Sequence, residues 1–178
     1  MSLRPDGTLR ARFQPTARTD MFRRLGIGAK KCDLGDEGLY LAAALRAPTD
    51  AAARESARAF LDTRRGRRQA SRLSADLVAY ERDLEWEEGL AKHVEIKFHE
   101  VAAAHGWSGY PAGAPFWQEE LARVDGRLSE RGGDYRFYLS GMAQARLLDR
   151  LAPGWTARAL AEDVSLEELL AEAVGNPG

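Results

Sequence analysis

The chain has 178 residues, 44 % of them hydrophobic, and a formal net charge of −1. That length supports a core without covalent staples, and the apolar share excludes a disordered chain. No apolar run approaches the ~20 residues that a membrane-spanning helix needs, and the single cysteine, Cys32, excludes an internal disulfide framework and a multi-cysteine zinc site.

The apolar residues are mostly Ala and Leu, and Arg and Glu supply most of the charge. All four are strong helix formers, so the composition leans towards helix. Residues 1–74 carry 16 Lys/Arg against 8 Asp/Glu, and residues 75–178 carry 10 against 19. Such a split fits either a polyanion partner or two halves that fold against each other with their charges interleaved at the surface.

Residues 1–35 read as an extended, loop-rich arm and residues 36–175 as a helical core. Leu9, Ala11 and Phe13 alternate with Arg10 and Arg12, which predicts one short strand before Pro15. A short helix follows around Met21 to Leu25. Asp36 is placed to cap a helix through Leu45. Pro48 breaks it, and Thr49 or Asp50 caps the next, whose inner face is Ala53, Ala57, Phe60 and Leu61. This helix runs into Arg64-Arg65-Gly66-Arg67-Arg68, where Gly66 weakens it. Ser74 opens the dominant element. From Ala75 to His105 there is no Pro and the only Gly is Gly89. Leu77, Leu84, Ala91 and Phe98 recur every seven residues, with Tyr80, Val94 and Val101 beside them. The pattern predicts one long amphipathic helix, or two joined near Gly89, with Leu77, Leu84, Ala91 and Phe98 buried. Gly106 ends it, and Trp107 to Pro115 form an aromatic loop. Further helices are predicted over Phe116–Leu128 and Tyr135–Leu151. A last one is capped by Ser165 with Glu168 three residues on. The fold class is therefore mainly α: an irregular multi-helix single domain around one long central helix, with at most a short N-terminal strand.

The segment Glu85-Trp86-Glu87-Glu88-Gly89-Leu90-Ala91-Lys92-His93-Val94-Glu95 resembles the Glu-Gly-Phe/Leu-Ala segment of gluzincin-type zinc metallopeptidases. The stretch Tyr138 to Leu151 and the order of the preceding segments extend the likeness over about residues 36–174. The resemblance implies that Glu88 occupies the position of the third zinc ligand, with Glu95, His99 and Tyr138 as cleft residues. Two further ligands would come from an HExxH helix upstream, where two histidines share one helix face and a glutamate activates water. This chain lacks that motif: its histidines are His93, His99 and His105, all after Glu88. His99 and His105 are six residues apart, which at the helical step puts the rings about 120° apart. Either an upstream half carries the HExxH and the zinc, or the zinc site has been lost. Zinc is accordingly expected only with such an upstream segment, and this chain is expected not to act as a peptidase by itself. A carboxylate kept at Glu88 without zinc would take an Arg or Lys of the basic half, or the Tyr138 hydroxyl, as its partner.

Other constellations carry two readings each. Glu81, Glu88, Glu95 and His99 fall in one column by the helical step, as a metal-binding stripe or as the polar border of the apolar seam. The Arg64–Arg68 run is a phosphate or nucleic-acid grip or a solvated helix end; without interleaved aromatics, nucleic acid is the weaker alternative. Cys32 beside Lys30 and Lys31 is a nucleophile or an inert thiol. The function read from sequence is thus a truncated or degenerate gluzincin-like peptidase. The alternative is a helical interaction or oligomerisation module that uses the acidic half or the aromatic loop, with a second copy or another protein as partner. No export signal opens the chain, so the cytoplasm is the default compartment, with export left open if a segment precedes Leu3.

Overall fold

The computed structural model describes residues 35–107, 118–124 and 135–175. Those residues are helical, joined by turns: α1 (Gly35–Arg46), α2 (Asp50–Ala70), α3 (Ala75–Leu84), a π-helical turn (Glu85–Gly89), α4 (Leu90–Ala104), α5 (Tyr135–Leu151), α6 (Trp155–Ala161) and α7 (Leu166–Ala173). Residues 118–124 are also helical. The predicted strand at residues 9–13, the short helix near Met21, Cys32 and most of the aromatic loop lie outside the described residues. No helix among the described residues is long and apolar enough to cross a membrane.

The helix ends follow local side-chain chemistry. Thr49 accepts from the Ala52 N–H (3.2 Å) at the start of α2. Ser74 caps α3. Ser165 and Glu168 form a reciprocal capping box that satisfies donors at the head of α7. Gly66 does not interrupt α2, which continues to Ala70. The chain then turns through Arg72, held at φ 50°. Gly154, at φ 88°, turns the chain into α6, a short helix that no sequence pattern above predicts.

The core draws on every layer. The α2 face Ala53, Ala57, Phe60 and Leu61 is buried as its spacing predicts, and α5 hides Phe137, Leu139, Met142, Ala143, Leu147 and Leu148 among its neighbours. The helices cross most closely at a glycine pair. A Cβ built on Gly141 would lie 2.8 Å from the Gly89 Cα and 2.9 Å from the Glu85 carbonyl carbon. Only two glycines let the α5 backbone rest against the π turn at this distance.

The stretch 75–104 is helical throughout, but its expected seam is not continuous. Leu84 is buried and Leu77 half-buried, whereas Ala91 is exposed and Phe98 is 43 % exposed. Val94 and Val101 also face outward, at 62 % and 49 %. The cause is the π turn. An i→i+5 turn takes in one extra residue, so everything beyond it is rotated by about 100° relative to an unbroken α-helix. The buried positions after the turn are His93, Ile96 and Ala102, displaced from the sevenfold columns that a uniform helix would continue.

Candidate functional site

The inner face of α2 does not stop at Leu61. Continuing its spacing brings Arg64, Arg67 and Arg68 to the same side, where α1, α3, the π turn and α7 converge with glutamates. Arg64 is 2 % exposed. Its Nε donates to Glu37 Oε2 (2.9 Å), and its two Nη groups grip Glu85 at 2.7 and 2.6 Å. Nη1 also reaches Glu167 (3.3 Å). The guanidinium lies over the Phe60 ring, 4.4 Å from its centre. Arg67 donates to Glu37 (2.5 Å) and holds Glu81 with both Nη groups (2.8 and 2.9 Å). Arg68 bridges Glu81 (2.9 Å) and Glu167 (2.8 Å), and Arg82 adds a contact to Glu167 (3.0 Å). From α5, the Ser140 hydroxyl donates to Glu85.

Four guanidiniums thus meet four carboxylates, tying together α1, α2, α3, the π turn, α5 and α7. Burial alone would push the Arg64 guanidinium down, but Glu85, Glu37 and Glu167 hold it well above its ordinary value. Burial likewise opposes ionisation of Glu167, yet Arg64, Arg68 and Arg82 bring it down to about 2. Glu81 is lowered against its burial by Arg67 and Arg68. The bidentate, charge-assisted geometry offsets the desolvation that makes buried ions costly.

This arrangement corrects two expectations. Arg64 and Arg67 are neither a nucleic-acid grip nor a solvated helix end. The charges of the two halves do interleave, but in the interior rather than only at the surface: Arg64, Arg67 and Arg68 of the basic half bind Glu81, Glu85 and Glu167 of the acidic half. Periodicity was the available signal, since Arg64 lies four residues beyond Phe60 and Arg68 four beyond Arg64.

The residues singled out by resemblance lie on the π turn, α4 and α5. Glu88 is half-buried on the π turn, one turn beyond the Arg64 partner Glu85. Glu95 is exposed and takes the Lys92 ammonium (2.8 Å). His99 is half-buried with its ring 6.0 Å from that of Phe98. Tyr138 stacks on Tyr135 at 5.6 Å. The column Glu81–Glu88–Glu95–His99 therefore does not survive the π turn, with Glu81 buried and Glu95 in solvent. Among the described residues no group of three or more His, Cys, Asp or Glu side chains is placed to hold a metal ion.

A second polar cluster pins α4 to α5 and α6. His93 Nε2 lies 3.3 Å from Asp149, Lys97 lies 3.0 Å from it, and Trp155 Nε1 donates to it at 3.0 Å. Burial raises the Asp149 carboxyl, but the bonds from His93, Trp155 and Lys97 outweigh it and hold the group well below the carboxylate range. The cluster fixes the rotated α4 in place. Beyond it, α4 turns Val94, Phe98 and Val101 outward, with Trp107, 50 % exposed, packed 6.1 Å from Phe98. Compared with known protein families, characterised proteins and solved structures, the chain gives no match.

Proposed function

We propose that this chain is a helical self-association module that docks through the outer face of α4, with a second copy of the chain as its partner. The observation that supports this reading is the exposed stripe Ala91, Val94, Phe98 and Val101. Single exposed apolar residues need no explanation, but a contiguous row of them on one helix does. The spacing is that of the a and d positions of a heptad. Such a seam is matched by its own image, so that each helix can bury the other's knobs. The ion network and the glycine crossing hold the opposite side of the long helix to the body of the fold, so the stripe is presented on a rigid element.

The likeness of Glu88-Gly89-Leu90-Ala91 to the gluzincin segment is a separate proposal, about descent. Gly89 has a structural reason of its own in the crossing with Gly141. An HExxH segment encoded upstream would be the observation in favour of a peptidase relationship.

The test is the mass in solution from micromolar to near-millimolar concentration, by light scattering and sedimentation equilibrium. The parent chain is expected to form a dimer, and Val94→Glu and Phe98→Glu to remain monomers with unchanged helicity. A parent that stays monomeric over that range overturns the reading, as does a dimer that both variants leave intact.

A further inference from the structure

On the side of the molecule formed by α2 and α7 lies a cleft of about 590 Å³. One wall is the outer edge of the α2 face that carries the ion network: Arg65, Arg68, Gln69 and Arg72. The floor is apolar, formed by Leu61, Leu73 and Ala171. Arg82 and the α7 glutamates close the other side. The volume falls within the range of small-molecule sites.

The charges around the cleft are engaged unequally. Each carboxylate already has cationic or capping partners: Glu167 has Arg64, Arg68 and Arg82, Glu168 has Arg82 and Ser165, and Glu172 has Arg158. The guanidiniums are not filled to the same degree. Arg68 and Arg82 are taken up by Glu81, Glu167 and Glu168, and Arg65 pairs with Asp62. Arg72 is exposed at the mouth and makes no side-chain hydrogen bond or ion pair among the described residues. The open capacity of the cleft is therefore the Arg72 guanidinium, beside the exposed Gln69 amide.

The backbone at Arg72 points the same way. Its φ of 50° places it in the left-handed position that ends a helix, usually held by glycine. The Leu73 N–H bonds to the Arg68 carbonyl (3.0 Å) and the Arg72 N–H to the Gln69 carbonyl (3.0 Å), so these two carbonyls of the last turn of α2 are occupied. A residue with a Cβ in that position carries a strain that glycine would remove, and sites that retain such strain are where function is to be sought.

We propose that this cleft binds a small phosphorylated molecule. Its phosphate meets the Arg72 guanidinium, with Gln69 and Arg65 at its sides. An apolar body lies along Leu61, Leu73 and Ala171. A phosphate dianion gains from several cations at once and matches the planar guanidinium fork. This site is independent of the α4 face.

The experiment is isothermal titration of the full chain at matched ionic strength with three probes: inorganic phosphate, phenyl phosphate and benzoate. Phenyl phosphate is expected to bind most tightly. Inorganic phosphate lacks the apolar body and benzoate lacks the dianion, and both are expected to be weaker. Arg72→Gln is expected to weaken phenyl phosphate about tenfold, the loss of one charged hydrogen-bonding group, and Arg72→Lys to recover part of it. Both variants alter an exposed side chain, so the fold is retained, and helicity checks this. Absence of binding by phenyl phosphate overturns the proposal. So does equal affinity in the parent and Arg72→Gln, or benzoate binding as tightly as phenyl phosphate.

Discussion

A methyl group added at Gly141 tests the helix crossing directly. The new Cβ would sit 2.8 Å from the Gly89 Cα and 2.9 Å from the Glu85 carbonyl carbon, with the Glu85 carbonyl oxygen nearer still. All three are backbone atoms, so no flexible side chain can move aside; the two helices must separate. Overpacking of this kind costs about 1–3 kcal/mol, and rigid partners put it at the upper end. Against this stands the helix preference of Ala over Gly, about 1 kcal/mol. The net loss for Gly141→Ala is then about 2 kcal/mol, or about 4–8 °C in Tm for a chain of this size. Gly66 is the internal control: it lies inside α2 with nothing within 4 Å of its Cβ position. Gly66→Ala is expected to raise stability by about 0.5–1 kcal/mol. Thermal and urea denaturation of the two variants beside the parent should thus move in opposite directions. A Gly141→Ala protein as stable as Gly66→Ala would refute the close crossing, and with it the account of the π turn.

The ion network makes two further predictions. Glu85→Gln leaves Arg64 buried with its bidentate partner neutralised and is expected to cost about 3 kcal/mol. Glu88→Gln, on a half-buried site one turn away, is expected to cost less than about 1 kcal/mol. Equal losses in urea midpoints would show that the network is misassigned. Acid should also undo the fold in a defined window. Glu167 is lowered from 4.5 to about 2, and Glu81 and Asp149 are lowered too. A depressed carboxylate stabilises the fold fully above its unfolded value, and that contribution is lost as pH falls through the folded value. Stability should therefore hold from neutral pH down to about pH 5 and fall between there and about pH 2. A urea midpoint unchanged through that fall in pH would contradict the buried pairs.

How much of this was legible in the sequence depended on whether a residue's neighbours in the chain decide its role. Three helix starts were, because Thr49, Ser74 and Ser165 act on backbone groups three residues away, whereas α6 was not foreseen and Asp36, expected as a cap, lies inside the first turn of α1. The apolar face of α2 was, because its period is local. The network was not, since Arg64 finds its partners at Glu37, Glu85 and Glu167. A charged run beside Gly66 has the composition of a helix end, and only the continued spacing from Phe60 marks it as interior. The charge asymmetry of the halves was the one global trace of that pairing. It was equally open to a polyanion partner, and it did not show which residues meet. Gly89 was visible as the one glycine of the long helix, but its partner Gly141 lies 52 residues on.

The phase of the long helix was the hardest feature to read, because periodicity assumes that every turn holds the same number of residues. Ala91 sits seven residues after Leu84 and in an unbroken helix would share its buried face. The π turn displaces it into solvent and brings Ile96 inward, fully buried. This assigns opposite outcomes to one chemical change. Ala91→Asp adds a charge to an exposed position and is expected to alter stability by no more than about 0.5 kcal/mol in dilute solution. Ile96→Asp places an unpaired carboxylate in the core and removes a branched side chain, so it is expected to cost at least about 4 kcal/mol or to prevent folding. Far-UV circular dichroism and urea midpoints at concentrations below self-association separate the two. A folded, near-parental Ile96→Asp alongside a collapsed Ala91→Asp would restore the uniform seam and remove the rotation on which the exposed α4 stripe depends.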